Sequence, residues 1–366
     1  MYREFIGVDL HSTQVTVHRI VVGESGSLER KKGQYPMERM ETHFIASLHA
    51  GCAVCIEAGS GSHALARMIV AAGARAFVVN PRSLPQIFMS AKKTDKVDAK
   101  KLADCLKQHL ESKDSDDGFP EVCVADEDTQ RLRMLISQYQ RVNADMTALK
   151  NNLYSLFRQW LVQVDKGFVI ERLDSYLEHP RLPPEVGIIA RREKQRHEEL
   201  EAFKAELRSL IESIGVIRYR EQVSLLIGIS GISVFGAACI MADIIKVDRF
   251  RTSKNLASYL RAAPRVDASN NTVHIGRLNK AGRKMAFEIL LQSVNHLVDG
   301  NPNLLRYTKH AVGKSKNKVR AAVVGRTIRQ IFYILKNKEP NWFLKEETYS
   351  NKKRQVEKIL LAKKSA

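Results

Sequence analysis

The chain has 366 residues, of which 44% are hydrophobic and 27% charged, a composition typical of a globular protein rather than a disordered or fibrous one. No apolar run is long enough to cross a bilayer, and the N-terminus lacks the basic flank, apolar stretch and cleavage site of a signal peptide. We therefore expect no membrane partner and a cytoplasmic, unprocessed protein. Five cysteines, an odd and low number, predict reduced thiols.

The formal net charge of +19 is distributed unevenly along the chain. The segment after Gly300 holds 17 of the 59 Lys and Arg residues but only 4 of the 40 acidic residues. A basic amphipathic membrane helix is one interpretation of such a segment. However, "GKSKNKVRAAVVGRTIRQIFYILKNK" mixes its cations with a helical core stripe, which suits phosphate contacts at least as well. The charge pattern favours a nucleic-acid partner.

The first hundred residues alternate between strand and helix patterns. The β-branched runs "EFIGVDL", "QVTVHRIVV", "CAVCIEA" and "RAFVVNP" predict strands, whereas "ERMETHFIASLHA" and "SHALARMIVAAG" have helical spacing. This alternation predicts an α/β sheet covered by helices. Cys52 and Cys55 form a C-x-x-C, but they lie on opposite faces of their predicted strand. We interpret them as core residues rather than metal ligands.

An acidic linker, "ESKDSDDGFPE", separates this region from one with the pattern of long helices. The stretch "EDTQRLRMLISQYQRVNADMTALKNNLYSLFRQWL" has no glycine or proline and spaces its apolar residues by three and four. These seam residues are Leu132, Ile136, Tyr139, Val142, Met146, Leu149 and Leu153. A second charged helix, "IARREKQRHEELEAFKAELRSLIESI", follows a break at "HPRLPPEVG". We predict a long helical hairpin or coiled coil that spaces two domains or forms a dimer contact.

The remainder of the chain predicts a mainly α domain. Gly228 and Gly231 separate two apolar helical stretches, as in a helix-hairpin-helix whose turn amides bind phosphate. The segment "RAAPRVDASNNTVHIGRLNKAGRK" is predicted to be a loop, and the lysine-rich C-terminus a mobile tail. The predicted domains span residues 1–110, 125–215 and 217–343, with the basic tail at 344–366.

Four carboxylates occur at positions that suggest one site. Asp9 and Glu57 each end an apolar strand, where an unpaired charge is costly to bury. Asp95 and Asp98 lie three apart in the first turn of the helix "TDKVDAKKLADCLK", so their side chains point the same way. Acids at a helix start are ordinary capping chemistry, but together with the strand-end acids they predict a Mg²⁺ or Mn²⁺ site. Two such ions would clamp the attacking and leaving oxygens of a phosphodiester.

A different enzyme class begins in the same way. The segment "FIGVDLHSTQVTVHRIVV" is similar to the first phosphate-binding strand pair of the actin-like ATPases and sugar kinases. Those proteins also need a second acidic, glycine-turn phosphate motif and a glycine-rich adenosine motif, and neither follows Gly236. The basic C-terminal segment also fits a sugar kinase poorly. This class is therefore a distant alternative.

Several ordered motifs resemble one family. "GVDLH", "CIEAGSGSH", "VVNPRSL" and "KTDKVDAKKLA" resemble the RuvC-like, ribonuclease-H-like domain of the DEDD transposases of the insertion-sequence 110 type, relatives of the Piv-like DNA invertases. "GISGISVFGAACIMADI", "DRFRTSKNLASYLRAAPR" and "GRLNKAGRKMAFEILLQSV" resemble that family's C-terminal transposase domain. The resemblance spans about residues 3–335. It implies a RuvC-like α/β domain, a helical coiled-coil connector and a mainly α transposase domain.

The resemblance also implies two chemistries in one recombinase. The four carboxylates would bind Mg²⁺, while a serine of the C-terminal domain would join covalently to a DNA 5′ phosphate. Ser269 in "APRVDASNN" occupies that serine position. The family usually has glycine next, whereas Asn270 follows here, and asparagine tolerates the same left-handed backbone conformation. Guidance by a structured bridge RNA that pairs with donor and target DNA is implied as well, as is assembly into dimers or tetramers.

Phosphate contacts are expected from cations near the predicted serine loop and in "GKSKNKVR". They are Arg265, Arg277, Lys280, Arg283, Lys314, Lys316, Lys318 and Arg320. Three alternatives stay open: a RuvC-like junction nuclease without a serine step, a site-specific invertase without guide RNA, and a defective element copy that only binds nucleic acid. In each case we expect a nucleoid-associated protein of a prokaryotic cytoplasm.

Overall fold

The computed structural model describes residues 2–80, 95–112, 119–165, 167, 169–269, 272–311, 313–340 and 345–364, without the side chains of 95–97, 266–269, 272–275 and 364. The chain divides into two compact units, Met1–Gln130 and Arg131–Ala366. In the described ranges, no helix combines the length and apolarity that a bilayer span requires.

The first unit is built on a five-stranded mixed sheet. Its strands are β1 (Glu4–Leu10), β2 (Gln14–Val22), β3 (Leu28–Pro36), β4 (Cys52–Glu57) and β5 (Arg75–Val79). Their spatial order is β3-β2-β1-β4-β5, in which β2 is antiparallel to β1 and β3, while β4 is parallel to β1 and β5. The predicted α/β character is confirmed. The sequence pattern did not predict β3, because "LERKKGQYP" is a charged, mostly exposed edge strand without apolar alternation.

Helices cover both faces of the sheet. One face packs against α1 (Ser62–Ala71) and against the helical turns Met37–Arg39, Met40–Phe44 and Ile45–Ser47. The other face packs against α2 (Asp95–Glu111), whose Leu102 and Leu106 are buried. Cys52 and Cys55 are both buried and belong to the apolar clusters on opposite faces, so the prediction that they are core residues is confirmed.

Contact between α2 and β1 is close because Gly7 has no side chain. A Cβ at Gly7 would lie 2.0 Å from the Ala99 carbonyl oxygen and 2.5 Å from the Ala103 amide nitrogen, both backbone atoms of α2. Gly7→Ala should therefore displace α2 and destabilise the first unit by about 3 kcal/mol. Gly59→Ala is the matched control, since nothing lies within 4 Å of that Cβ position. Equal denaturation midpoints for the two variants would show that α2 does not depend on this contact.

The second unit begins with a helical hairpin formed by α3 (Glu127–Gln159) and α5 (Pro184–Arg218), which flank the short α4 (Leu173–Leu177). The predicted seam is buried or half-buried, with Leu132 and Leu153 almost fully covered. Val142 and Met146 of this seam pack with Leu207 of α5. The long helices therefore cover each other within one chain, as a hairpin would.

The rest of the second unit is mainly helical. It contains α6 (Arg220–Leu226), α7 (Val234–Ile244), α8 (Ser253–Tyr259), β6 (Pro264–Ser269), β7 (Thr272–Leu278), α9 (Met285–Gln292), α10 (Val294–Asp299), α11 (Pro302–His310), α12 (Lys316–Asn337) and α13 (Glu346–Lys364). One apolar core joins α7 to residues from α3, α5, α9, α12 and α13.

Two local predictions in this unit differ from the structure. The segment predicted to be a loop contains the antiparallel β6–β7 hairpin, whose alternating runs "RVDAS" and "TVHI" are short and lie among Asn, Gly and basic residues typical of loops. The segment predicted to be a mobile basic tail forms α13, which buries Val356 in the core of the second unit. Removing this segment would therefore remove part of the fold.

Candidate functional site

The first predicted site lies where β1 and β4 end. The two strands are parallel neighbours, and Val8 pairs with Ile56, so the next residues, Asp9 and Glu57, are side by side at the same sheet edge. Asp9 shares a strand face with Gly7, which abuts α2. The Asp9 side chain is only 13% exposed, and Glu57 is half-buried. The strand register therefore places two acidic residues at neighbouring strand ends on the face that α2 covers.

The direction of α2 places its first turn towards these strand ends. Asp104, in the second half of α2, forms an ion pair with Arg30 of β3 at 2.8 Å. Arg30 pairs with Ile20, and Ile20 pairs with Phe5 near the beginning of β1. Ala99, nearer the start of α2, abuts Gly7 further along β1. The helix therefore runs antiparallel to β1, and its N-terminal end lies nearest the carboxyl end of that strand.

The first turn of α2 carries the other two predicted carboxylates. Asp98 is half-buried and directly precedes Ala99, the residue in contact with β1. The backbone of Asp95 begins the helix, but its side chain lies outside the described residues. Of the described side chains in this set, no three bring their ligand atoms within 4.8 Å of one another. The closed four-carboxylate cluster stays a prediction.

The donor chemistry at this edge fits a hard divalent cation. Asp9, Glu57 and Asp98 offer only carboxylate oxygens, which Mg²⁺ and Mn²⁺ prefer over nitrogen and sulfur. A histidine that the sequence analysis did not single out is also present. The Nε2 atom of His11 lies 3.1 Å from the Oδ2 atom of Asp9 and can orient this carboxylate through a hydrogen bond.

A second group of potential ligands lies at the opposite end of the same strands. Glu4, His49 and Cys52 have ligand atoms within 4.8 Å of one another. However, Arg19 already donates to Glu4 at 2.7 Å, and burial raises the pKa of the Cys52 thiol, which disfavours a thiolate ligand. The chemistry of this group suits a structural hydrogen-bond network better than a metal site.

The predicted nucleophile lies in the second unit. Ser269 is the last residue of β6 and pairs with Thr272 of β7, so its backbone is at the tip of the hairpin. Its side chain is outside the described residues, as is Asn270. The hairpin therefore presents Ser269 at an end rather than in the middle of a core element. This position is compatible with a group that must reach DNA.

The predicted phosphate-binding cations lie around this hairpin and at the start of α12. The side chains of Arg265, Arg277, Lys280, Lys314, Lys316 and Lys318 are exposed. Arg283 and Arg320 are half-buried, and Arg320 donates to the Leu291 carbonyl at 3.0 Å. The beginning of α12 has cations and no acid in its first turn, although the positive end of a helix dipole disfavours them. This arrangement favours an anionic ligand.

The sequence analysis did not identify Asp243, a buried carboxylate near Arg133 and Arg283 in the second unit. Asp243 in α7 is 5% exposed, and its Oδ2 atom accepts a hydrogen bond from the Ala286 amide at 3.0 Å. Burial raises the pKa of Asp243, while the nearby Arg283 and Arg133 oppose that rise. Burial also lowers the pKa of the Arg133 guanidinium. A lone acid inside the apolar run "VFGAACIMADI" was the available signal, the same kind that identified Asp9.

Two helices flank the turn for which a helix-hairpin-helix was predicted. Helices α6 and α7 flank a turn that includes Gly231 at φ +82°, and Ser233 caps α7 by accepting from the Gly236 amide at 3.0 Å. From α13, the Nζ atom of Lys352 donates to the Ile227 and Ile232 carbonyls at 3.0 and 2.7 Å. Burial lowers the pKa of Lys352 to about 8. Thus α13 helps to hold the turn in place.

Comparison with known proteins gives a transposase match in the N-terminal part of the chain and another in the C-terminal part. Residues 6–161 match a transposase family of the DEDD, IS110 type, and residues 223–309 match the family described as "Transposase IS116/IS110/IS902 family". The chain is also similar to the transposase for insertion sequence element IS1111A of Coxiella burnetii (strain RSA 493 / Nine Mile phase I). The two are 23% identical over 317 residues, which cover 83% of this chain and 81% of the relative.

The two family matches, with the similar relative, identify the chain as a transposase, an enzyme that cleaves and rejoins DNA. Both family matches occur in the expected order and together cover about two thirds of the chain. The protein belongs to the IS110 family of transposases. A divalent metal ion, typically Mg²⁺, is implied for DEDD transposases, and the strand-end carboxylates have suitable chemistry for it.

Proposed function

We propose that this chain is the RNA-guided recombinase of an insertion sequence, with a RuvC-like carboxylate site and a serine nucleophile. One observation supports the carboxylate site most strongly: Asp9 and Glu57 end adjacent parallel strands beneath the helix that carries Asp95 and Asp98. The strand order β3-β2-β1-β4-β5, with antiparallel β1 to β3 and parallel β4 and β5, is compatible with a ribonuclease-H-like core.

The proposed metal ligands are Asp9, Glu57, Asp95 and Asp98. A bound Mg²⁺ would offset charge that develops on the phosphodiester oxygens. We propose that the four carboxylates position the DNA strand to be cut at this edge of the sheet. His11 orients the Asp9 carboxylate through its hydrogen bond. Removing one carboxylate would therefore impair cleavage without removing a core contact.

The proposed covalent step uses Ser269. Its Oγ atom attacks the scissile phosphorus, the bond from phosphorus to the 3′ oxygen breaks, and that oxygen leaves as a 3′ hydroxyl. The proton lost by the serine balances the one gained by the leaving oxygen. Because one phosphate ester replaces another, a 3′ hydroxyl from a second DNA can later attack the phosphoserine and release Ser269. The cations Arg265, Arg277 and Lys280 can stabilise the charged phosphate in both directions.

The proton acceptor is proposed to be a carboxylate of the RuvC-like site, supplied by a second subunit. This proposal follows from the dimer or tetramer that the family resemblance implies. The DNA substrates are a donor that carries the element ends and a target, and the protein acts at the nucleoid of a prokaryotic cytoplasm. A structured RNA from the element's noncoding flank would select both DNAs by base pairing.

Sequencing the RNA that co-purifies with the protein tests the guided part of this function. We expect one abundant structured RNA encoded beside the gene, with segments complementary to the donor and target DNA. The control is the same purification from cells in which the noncoding flank has been deleted. Recombination that persists in this control, or after nuclease removes all RNA, would instead support a site-specific invertase without a guide.

A further inference from the structure

We propose that a groove along α12 binds a single-stranded segment of nucleic acid, an inference that rests on the proposed function and assigns part of its substrate to a surface. The groove encloses about 920 Å³ between the base of the β6–β7 hairpin and the first four turns of α12. A second cavity of about 510 Å³ continues along α12, and both cavities include Arg326 in their walls. We call the two cavities together the α12 groove.

The floor of the larger cavity is made of small, apolar residues. Ala321, Ala322 and Gly325 line it from α12, and Ala262 and Pro264 line it from the approach to the hairpin. These small residues leave room above the helix, and Gly325 lets the helix backbone approach the Ala262 carbonyl, since an added Cβ would lie 3.3 Å from that oxygen. An apolar floor of small residues suits the face of a nucleobase or a sugar.

The walls of the same cavity are cationic. Arg277 contributes from β7, and Lys318, Arg326 and Arg329 contribute from α12. Lys318, Arg326 and Arg329 recur at three- to four-residue spacing through Ala322, so they share one helix face. In the described ranges, none of these four cations forms an ion pair with a carboxylate. The walls therefore offer free positive charge to phosphates that flank a base on the floor.

The smaller cavity has a different chemistry. Its polar side chains include Asn301, Asn303, Gln330 and Asn337. The aromatic ring of Tyr333, which is 56% exposed, also lines this cavity. Asn301 is buried, caps α11 and donates to Gln330, so the amides open to a base edge are those of the exposed Asn303 and Asn337. The exposed tyrosine offers a stacking surface. Glu339 also lines this cavity. The negative charge of Glu339 makes the smaller cavity less favourable for phosphates than the larger one.

The two cavities meet at Arg326. Its guanidinium lies 4.0 Å from the centre of the Tyr307 ring, which holds it at the junction while leaving it exposed. A strand could therefore place its backbone along the cationic walls and project an unpaired base towards the amides. A duplex presents its bases paired and stacked, so an apolar floor flanked by cations and amides favours a single strand with unpaired bases.

Fluorescence anisotropy with the full-length, RNA-free protein tests this inference. The probes are a mixed-sequence 20-nucleotide DNA strand, the same sequence as RNA, and the corresponding DNA duplex. Ala322→Tyr should fill the floor and weaken single-strand binding about tenfold, whereas Ala205→Tyr, at an exposed position of α5, should leave it unchanged. The DNA and RNA arms identify which strand the groove prefers.

A charge-matched pair of variants provides the second measurement. Arg326→Gln with Arg329→Gln should reduce the slope of log Kd against log salt for single strands by about 1.4, because each phosphate contact contributes about 0.7. Arg191→Gln with Arg192→Gln removes the same charge from exposed positions of α5, outside the basic C-terminal segment, and should preserve the slope. Circular dichroism verifies that all variants are folded.

Photocrosslinking of the wild-type protein makes the result independent of substitutions. A 4-thiouridine strand should crosslink to peptides from α12 or β7. Crosslinks confined to other elements, or groove variants that bind single strands as the wild type does, would overturn the inference.

DNA cleavage by the wild-type protein is measured in parallel. If cleavage occurs while the groove tests fail, only this inference is lost; if purified protein with its RNA never cleaves DNA, the proposed function fails first.

Discussion

Asp9→Asn and Asp98→Asn should each reduce DNA cleavage by about a thousandfold or more, because each change removes a negative oxygen ligand from the predicted metal site. Both substitutions keep the size of the side chain. The first unit should remain folded, since Asp9 is the penultimate residue of β1 and Asp98 lies in the first turn of α2. Removing one of several neighbouring negative charges also relieves repulsion. Single-turnover cleavage of a plasmid that carries the element ends provides the measurement.

Asp104→Asn is the matched control on the same helix. Asp104 forms an exposed ion pair with Arg30, and such pairs contribute at most about 1 kcal/mol to stability. The control should cleave DNA at nearly the wild-type rate. If Asp98→Asn also cleaved at that rate, Asp98 would not be a metal ligand, and the start of α2 would have only a capping role.

Ser269→Ala should eliminate the covalent protein–DNA adduct and recombination, while nucleic-acid binding remains nearly unchanged. The variant removes the only atom that can form the proposed phosphoserine, and alanine preserves the backbone pairing of Ser269 with Thr272. Peptide mapping of complexes trapped on nicked DNA should locate the 5′ phosphate on Ser269 in the wild-type protein.

Thr272→Val serves as the control, because it removes a hydroxyl from the paired position of the same hairpin. This variant should still form the adduct. An adduct on another residue, or full recombination by Ser269→Ala, would refute the serine assignment. The prediction for the carboxylates would be unaffected, since it depends on a different unit of the chain.

The sequence was most informative where apolar residues repeat with a clear period. The pattern located β1, β2, β4 and β5, and it identified the α3 seam that packs on α5. It also placed Asp9 and Glu57 at strand ends, although it contained no information about which strands are neighbours. The parallel pairing of β1 with β4, and hence the adjacency of these acids, became evident only in the fold.

Elements held by backbone pairing or by few apolar contacts were harder to predict. The edge strand β3 has a polar sequence without regular alternation. The β6–β7 hairpin does alternate in "RVDAS" and "TVHI", but the runs are short and β6 contains a register shift between Pro264 and Val266. Helix α13 is so rich in lysine that its pattern resembles a solvated tail, yet Val356 anchors it in the core. In each case tertiary contacts outweigh local composition.

Two of the four groove cations, Arg326 and Arg329, were not singled out, unlike Arg277 and Lys318. Arg326 and Arg329 lie in a helix whose apolar stripe is conspicuous, so they were interpreted as part of a basic segment rather than as one wall of a cavity. Only the position of the hairpin beside α12 distinguishes them from other exposed cations. Periodicity within one helix cannot provide that information.

The metal dependence of DNA cleavage tests the central claim most directly. The wild-type protein, with its co-purified RNA, is freed of metal by a chelator and given a plasmid that carries the element ends, and strand cleavage is measured as Mg²⁺ is added. We predict no cleavage without Mg²⁺, a saturable rise with it, and no rise for Asp9→Asn at any concentration. Cleavage at the wild-type rate in excess chelator, or by Asp9→Asn in Mg²⁺, would contradict the proposal that the strand-end carboxylates form the cutting site.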